Sequence, residues 1–260
     1  MVRTLLIRGM LCGLLAGLLV FGFAKVFGEP QVDSAIAFES ALDEAKVKAD
    51  AAKGIHDMQA PELVSRPVQA SWGLLTGVMV YSTAFGGLFA LVFAFANGRL
   101  SSSLSPRTVA ALLALTGIVA VYVVPNLKYP ANPPSVGHPN TIGIRTQLYF
   151  TMMALSIAAM VGAAVLRKRL APKHGVWSAA LFATAFYVVV VAIVAALMPP
   201  INEVPADFPA VVLWHFRIDS LAMQVIMWAT LGLVFGAVTE RAAQARNGYR
   251  LGGPMGAAWR

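Results

Sequence analysis

Long stretches without charge organise the chain. Sixteen uncharged residues separate Arg8 from Lys25, thirty-two separate Arg66 from Arg99, and twenty separate Arg107 from Lys128. Twenty-one more lie between Arg145 and Arg167, twenty-eight between His174 and Glu203, and twenty between Asp219 and Glu240. A helix needs about 20 mostly apolar residues to cross roughly 30 Å of hydrocarbon. The first stretch is extended at both ends by apolar residues around snorkelling cations, so it predicts a helix over residues 4–27. The second predicts one over 71–96. The pattern as a whole predicts an all-α integral membrane protein, a bundle of about six transmembrane helices in one polytopic domain over 1–260. Five is the alternative count.

Punctuation marks the limits. Ser105 before Pro106 is a cap and first-turn signal for the third helix, and Pro125 is expected to close it. Pro199 and Pro200 should end the fifth. Asp207 can cap a helix through Val211 and Trp214 that leads into the sixth, straight or with a bend. The only sizeable segment outside the apolar runs is 28–70, rich in Ala, Lys, Glu and Asp. It is expected to form a long outer, periplasmic loop with a surface helix over 35–53.

Cations orient the bundle, because Lys and Arg beside short loops stay on the cytoplasmic side. With the amino terminus inside, that side carries twelve cations (Arg3, Arg8, Arg99, Arg107, Arg167, Lys168, Arg169, Lys173, Arg241, Arg246, Arg250 and Arg260) against one acid, Glu240. The other side carries eight cations and eleven acids. Both termini are therefore expected in the cytoplasm, with 239–260 as a basic tail. A cleavable signal peptide is the alternative for the first helix. Against it stand the absence of a small-x-small site before the acidic loop and an apolar core longer than the usual 7–15 residues.

Composition narrows the chemistry. Of 260 residues, 58% are hydrophobic and 12% charged, against about a quarter charged in soluble domains. The net charge of +8 in this setting suggests an anionic lipid surface rather than nucleic acid. Cys12 is the single cysteine, which excludes an intramolecular disulfide and Cys-based zinc or iron–sulfur centres. No phosphate loop, H-E-x-x-H or G-x-S-x-G motif occurs, so neither an ATPase nor another enzyme is expected. His56, His138, His174 and His215 fall in loops or at a helix mouth, without the paired intramembrane histidines that a b-type haem requires.

Small residues recur at helical spacing: Gly9, Gly13 and Gly17; Gly73 and Gly77; Gly232 and Gly236. In lipid such positions let backbones approach, so they are candidate packing sites. Three outer segments combine Pro with polar groups: KVFGEP from Lys25, LKYPANPP from Leu127 and PPINEVP from Pro199. Around them, Glu29, Asp33, His138, Glu203, Asp207, His215 and Asp219 offer oxygen and imidazole ligands suited to a divalent first-row cation. The alternative is that these acids are solvated or paired with Lys25, Lys128, Arg145 and Arg217. The sharpest feature is the mouth of the sixth helix. His215 and Asp219 are four residues apart on one face, continued by Met223 and Met227 as a candidate pathway. His215, Asp219, Glu203 and Glu29 are the candidate metal ligands.

The segments RTLLIRGMLCGLLAGLLVFGFAKVFGEPQVDSAIAFE, GGLFALVFAF, VPNLKYPANPP and INEVPADFPAVVLWHFRIDS resemble, in order and over nearly the whole chain, the CbtA-type predicted cobalt transporter subunits. That resemblance implies a multi-pass protein of the bacterial inner membrane that takes up Co²⁺ and is linked to cobalamin synthesis. It implies a partner as well, a small single-helix subunit with a histidine-rich end. No permanently bound cofactor is expected and Co²⁺ is the expected cargo. Beyond the lipid bilayer and that subunit no partner is implied, and the oligomeric state stays open. A non-transporting structural or assembly subunit is the competing function.

Overall fold

The computed structural model describes residues 2–52, 63–99, 104–134 and 136–251. His56 and the end of the basic tail, 252–260, lie outside them. Among the described residues every regular element is a helix. Five helical runs are long and apolar enough to cross a membrane: α1 (Val2–Ala51), α2 (Arg66–Ala96), α3 (Pro106–Lys128), α4 (Pro139–Leu197) and α5 (Ala210–Ala245). Four of them contain a widened π turn, at Ala24–Gly28, Gln69–Gly73, Val119–Val123 and Leu231–Phe235.

Two boundaries differ from the expectation, and they share a cause. The first helix does not stop at KVFGEP; it continues through Glu29–Ala51. Pro30 follows directly on the π turn Ala24–Gly28. Likewise Pro125 does not close α3, which runs on to Lys128 just after the π turn Val119–Val123. Proline normally breaks a helix by losing an N–H and clashing with the carbonyl one turn back; a widened turn immediately upstream removes that clash. Of the two forms expected at the start of the sixth helix the straight one is found: α5 starts at Ala210, behind an exposed Asp207, and runs on without a bend through Thr230. Other signals hold. Thr108 N–H donates to Ser105 Oγ at 3.2 Å at the start of α3, and the second half of α4 ends at Leu197 before Pro199 and Pro200.

The 59-residue α4 is not one rod. Gly175 has φ 78 and ψ 160, a conformation essentially reserved for glycine. There the chain folds back. Ser156 and Tyr187 are 31 positions apart, a separation of about 46 Å along a straight helix, yet their hydroxyls are 2.8 Å from each other. Ala159 and Ala163 pack with Ala183 and Tyr187 in one apolar cluster. The expected fourth and fifth helices are thus the two arms of this hairpin.

The chain divides into two compact units. The first comprises Met1–Phe23, Arg66–Leu115 and Met223–Arg260. In it α1 and α2 lie antiparallel at backbone contact, with Gly9 opposite Gly86, Gly13 opposite Ser82 and Gly17 opposite Met79. Phe85, Phe89 and Phe93 of α2 meet Trp228 and Phe235 of α5 edge to face, with centroids 5.0–6.4 Å apart. The buried positions of α1 within it are mostly small, such as Gly9, Cys12, Gly13 and Ala16. Leu11, Leu18, Val80 and Phe95 are more than half exposed. Small residues at the α1–α2 contact and large apolar ones outside it are what helices packed in lipid show, where burying Leu gains nothing over leaving it in hydrocarbon.

The second unit comprises Ala24–Ser65 and Thr116–Ala222. Here the α4 hairpin packs on the end of α3 through Val124, Tyr129 and Met152. Ala35 and Phe38 of α1 meet Val136 and Phe208, and the Phe38 and Phe208 rings stand 5.1 Å apart, edge to face. Of the three Pro-bearing segments, expected on one face, LKYPANPP and PPINEVP are brought together here, through Tyr129 and Pro199.

Candidate functional site

Two loops build the site: 129–138, between α3 and α4, and 198–209, between α4 and α5. Tyr129 Oη donates to the carbonyl of Pro199 at 2.8 Å, joining them. Asn126 Oδ1 accepts from Ala131 N–H at 3.0 Å and turns the chain off the end of α3. Arg217 reaches back from α5: its Nε donates to Ala131 O at 3.1 Å and its Nη2 to Asn132 Oδ1 at 2.8 Å.

Glu203 is the hub of the second clip. Its Oε2 accepts from His138 N–H at 2.9 Å and from Thr141 Oγ1 at 2.8 Å, with Arg145 Nε at 3.5 Å. The His138 N–H, then the Thr141 hydroxyl, and further the Arg145 charge hold the Glu203 carboxyl below the usual carboxylate range. Gly137 sits against this clip with φ +110; a Cβ there would lie 2.7 Å from Arg145 Cζ and 2.8 Å from Glu203 Oε2. Only glycine suits both the dihedral and the space.

These segments line an open cavity of about 900 Å³, bordered by Tyr122, Asn126, Arg145, Tyr149, Glu203 and Arg217 among others. Its charged groups are two guanidinium ions and one carboxylate, and that carboxylate is already committed. A bare dication meets net positive charge here.

The expected ligands are placed as follows. His215 is exposed and Asp219 half-buried, both on α5, and neither lines the cavity. Arg217 lies between them in sequence, about 200° around the helix from His215, so its partners are Ala131 and Asn132 and the His215–Asp219 face is separate. Met223 is partly buried and Met227 is 2% exposed. Glu29 is nearly buried and engaged by other groups of the protein. Asp33 and His138 are exposed. Among the described residues no three His, Cys, Asp or Glu side chains come together as a metal cluster.

Of the glycines singled out by spacing, Gly9 and Gly13 meet α2 backbone, Gly17 meets Met79 and Ser82, and Gly232 and Gly236 meet Ala114 and Ala110 of α3. Gly77 has nothing within 4 Å, and Gly73 faces only Val68 O of its own helix. The α2 positions at the contact are instead Ser82, Gly86 and Gly87. Ser82 and Gly86, four apart, do carry the small-xxx-small spacing, which a search for repeated glycines alone passes over. Tyr122 and Asn126 were missed as well, although two polar groups four apart at the end of an apolar helix are a usable signal.

An all-helical chain with five apolar helical runs and lipid-type packing is a multi-pass membrane protein. Its residues 2–240 match the family described as probable cobalt transporter subunit (CbtA), and the chain belongs to that family. No curated protein and no solved structure matches it.

Proposed function

We propose that this chain is the membrane-embedded subunit of a Co²⁺ uptake system of the bacterial inner membrane, acting with a small histidine-rich single-helix subunit. The family match over residues 2–240 carries this reading. Counting the two arms of α4 separately supports six crossings with both termini on the same side, and the cation asymmetry between alternate loops supports the cytoplasm as that side. Only four histidines and one cysteine occur in 260 residues, which favours a partner that brings soft and borderline ligands. His215 and Asp219, one turn apart at the start of α5, are the proposed ligands within this chain, with Glu203 and Glu29 as further candidates elsewhere in the same unit. Met223 and Met227 continue the helical register inward. A membrane potential contributes about 2.3 kcal/mol per charge per 100 mV, hence about 4.6 for a dication, and drives inward movement without ATP.

The test is radioactive cobalt accumulation in cells stripped of their own uptake systems. Accumulation with chain and partner together, and not with either alone, supports a composite transporter. No accumulation in any combination contradicts transport and favours the assembly-subunit reading.

A further inference from the structure

The cavity between the 129–138 and 198–209 loops is larger and more cationic than the clips around it require. Arg145 uses Nε and Nη1 toward Glu203 and Val136 O, and Arg217 uses Nε and Nη2 toward Ala131 and Asn132. Arg145 Nε, although 3.5 Å from Glu203 Oε2 as an ion pair, is buried without a hydrogen-bond partner among the described residues. Tyr122 lines the same cavity, and its hydroxyl, shielded from bulk water, has no partner among the described residues either. A buried hydroxyl left unpaired is destabilising, so a ligand that accepts from it is favoured. Guanidinium groups present planar N–H pairs that match carboxylates, whereas they repel a naked metal ion. Asn126, Asn132 and Thr146 add neutral polar groups to the lining.

We propose that this cavity binds a small di- or tricarboxylate. The anion arrives either free or as the ligand shell of a metal ion, and the second form rests on the cobalt reading given above. About 900 Å³ accommodates a molecule of citrate size with room for a metal ion. Arg145 and Arg217 contact its carboxylates and Tyr122 donates to one of their oxygens. The separate His215–Asp219 face is then where the ion parts from its carrier.

Calorimetry on the purified full chain in detergent tests this with citrate, with Co²⁺, with the cobalt–citrate complex and with inorganic phosphate. Citrate should bind, weaken at least tenfold in Arg217→Gln, and weaken severalfold in Tyr122→Phe, which keeps the ring and therefore the packing. Equal affinity with and without Co²⁺ identifies the free anion as ligand; binding only as the complex identifies the chelate. Absence of binding by either citrate form, binding of phosphate alone, or citrate affinity unchanged in Tyr122→Phe and Arg217→Gln overturns the proposal. Cobalt accumulation intact without citrate binding defeats this inference alone. Citrate binding without cobalt accumulation defeats the transport reading alone.

Discussion

The contact between α1 and α2 permits a quantitative test, because the same substitution has opposite consequences at two glycines of one helix. In Gly86→Ala the new methyl would overlap the carbonyl oxygen of Gly9 and lie 2.9 Å from Gly13 Cα and 3.0 Å from Gly13 N. All three obstacles are backbone, so no side chain can swing aside and the helices must separate. Overpacking costs about 1–3 kcal/mol, and rigid neighbours place this case near the top. Alanine regains about 1 kcal/mol of helix preference, which leaves a net loss of about 2 kcal/mol, or about 30-fold in the folding equilibrium. At Gly77, where nothing lies within 4 Å, Gly77→Ala should instead stabilise by up to about 1 kcal/mol. Reversible unfolding of both variants in one detergent, followed by circular dichroism, measures the difference. If Gly86→Ala proved as stable as Gly77→Ala, the backbone contact would not exist.

Four further outcomes are expected. Gly137→Ala, which forces a side chain to φ +110 beside Arg145 and Glu203, should destabilise by about 1–3 kcal/mol in the same assay. Ser156→Ala and Tyr187→Phe should each lose about 0.6 kcal/mol, up to about 1.7, and the double variant should lose less than the sum, as expected for a bonded pair. Because Glu203 has a lowered pKa in the folded state, its contribution is present above the ordinary carboxylate range and is lost as pH falls through the lowered value. Melting followed from neutral to acid pH should show that loss, and Glu203→Gln should flatten it. His215→Ala and Asp219→Ala should each reduce cobalt accumulation at least tenfold while leaving the melting temperature unchanged; normal accumulation in both would remove them from the pathway.

Charge-free intervals located every apolar helix, because a lipid-spanning segment excludes Asp, Glu, Lys and Arg at a cost no local preference can match. Helix ends were less legible. Pro125 read as a break and the first helix as ending at 27, since the π turns that carry both helices onward have no distinctive composition. Gly175 was equally silent: whether a glycine among His174 and Val176 starts a hairpin depends on which faces of the two arms bury each other. At the site, Glu203 with Arg145 was among the pairings anticipated, as neighbouring loops of opposite charge. Arg217 was not legible as the clasp on Asn132, because Asp219 is nearer in sequence; the helical turn of about 200° over two residues separates them. The cavity itself arises from two loops about seventy residues apart, and no local pattern encodes that meeting.

Cobalt entry into sealed vesicles is the most direct measurement of the central claim. Purified chain, reconstituted with and without the histidine-rich single-helix subunit, should admit Co²⁺ to a trapped quenchable dye when the inside is made negative, and the rate should rise with the imposed potential. Quenching no faster than in protein-free vesicles, with both subunits present and correctly inserted, would contradict the assignment of this chain to the path of the ion.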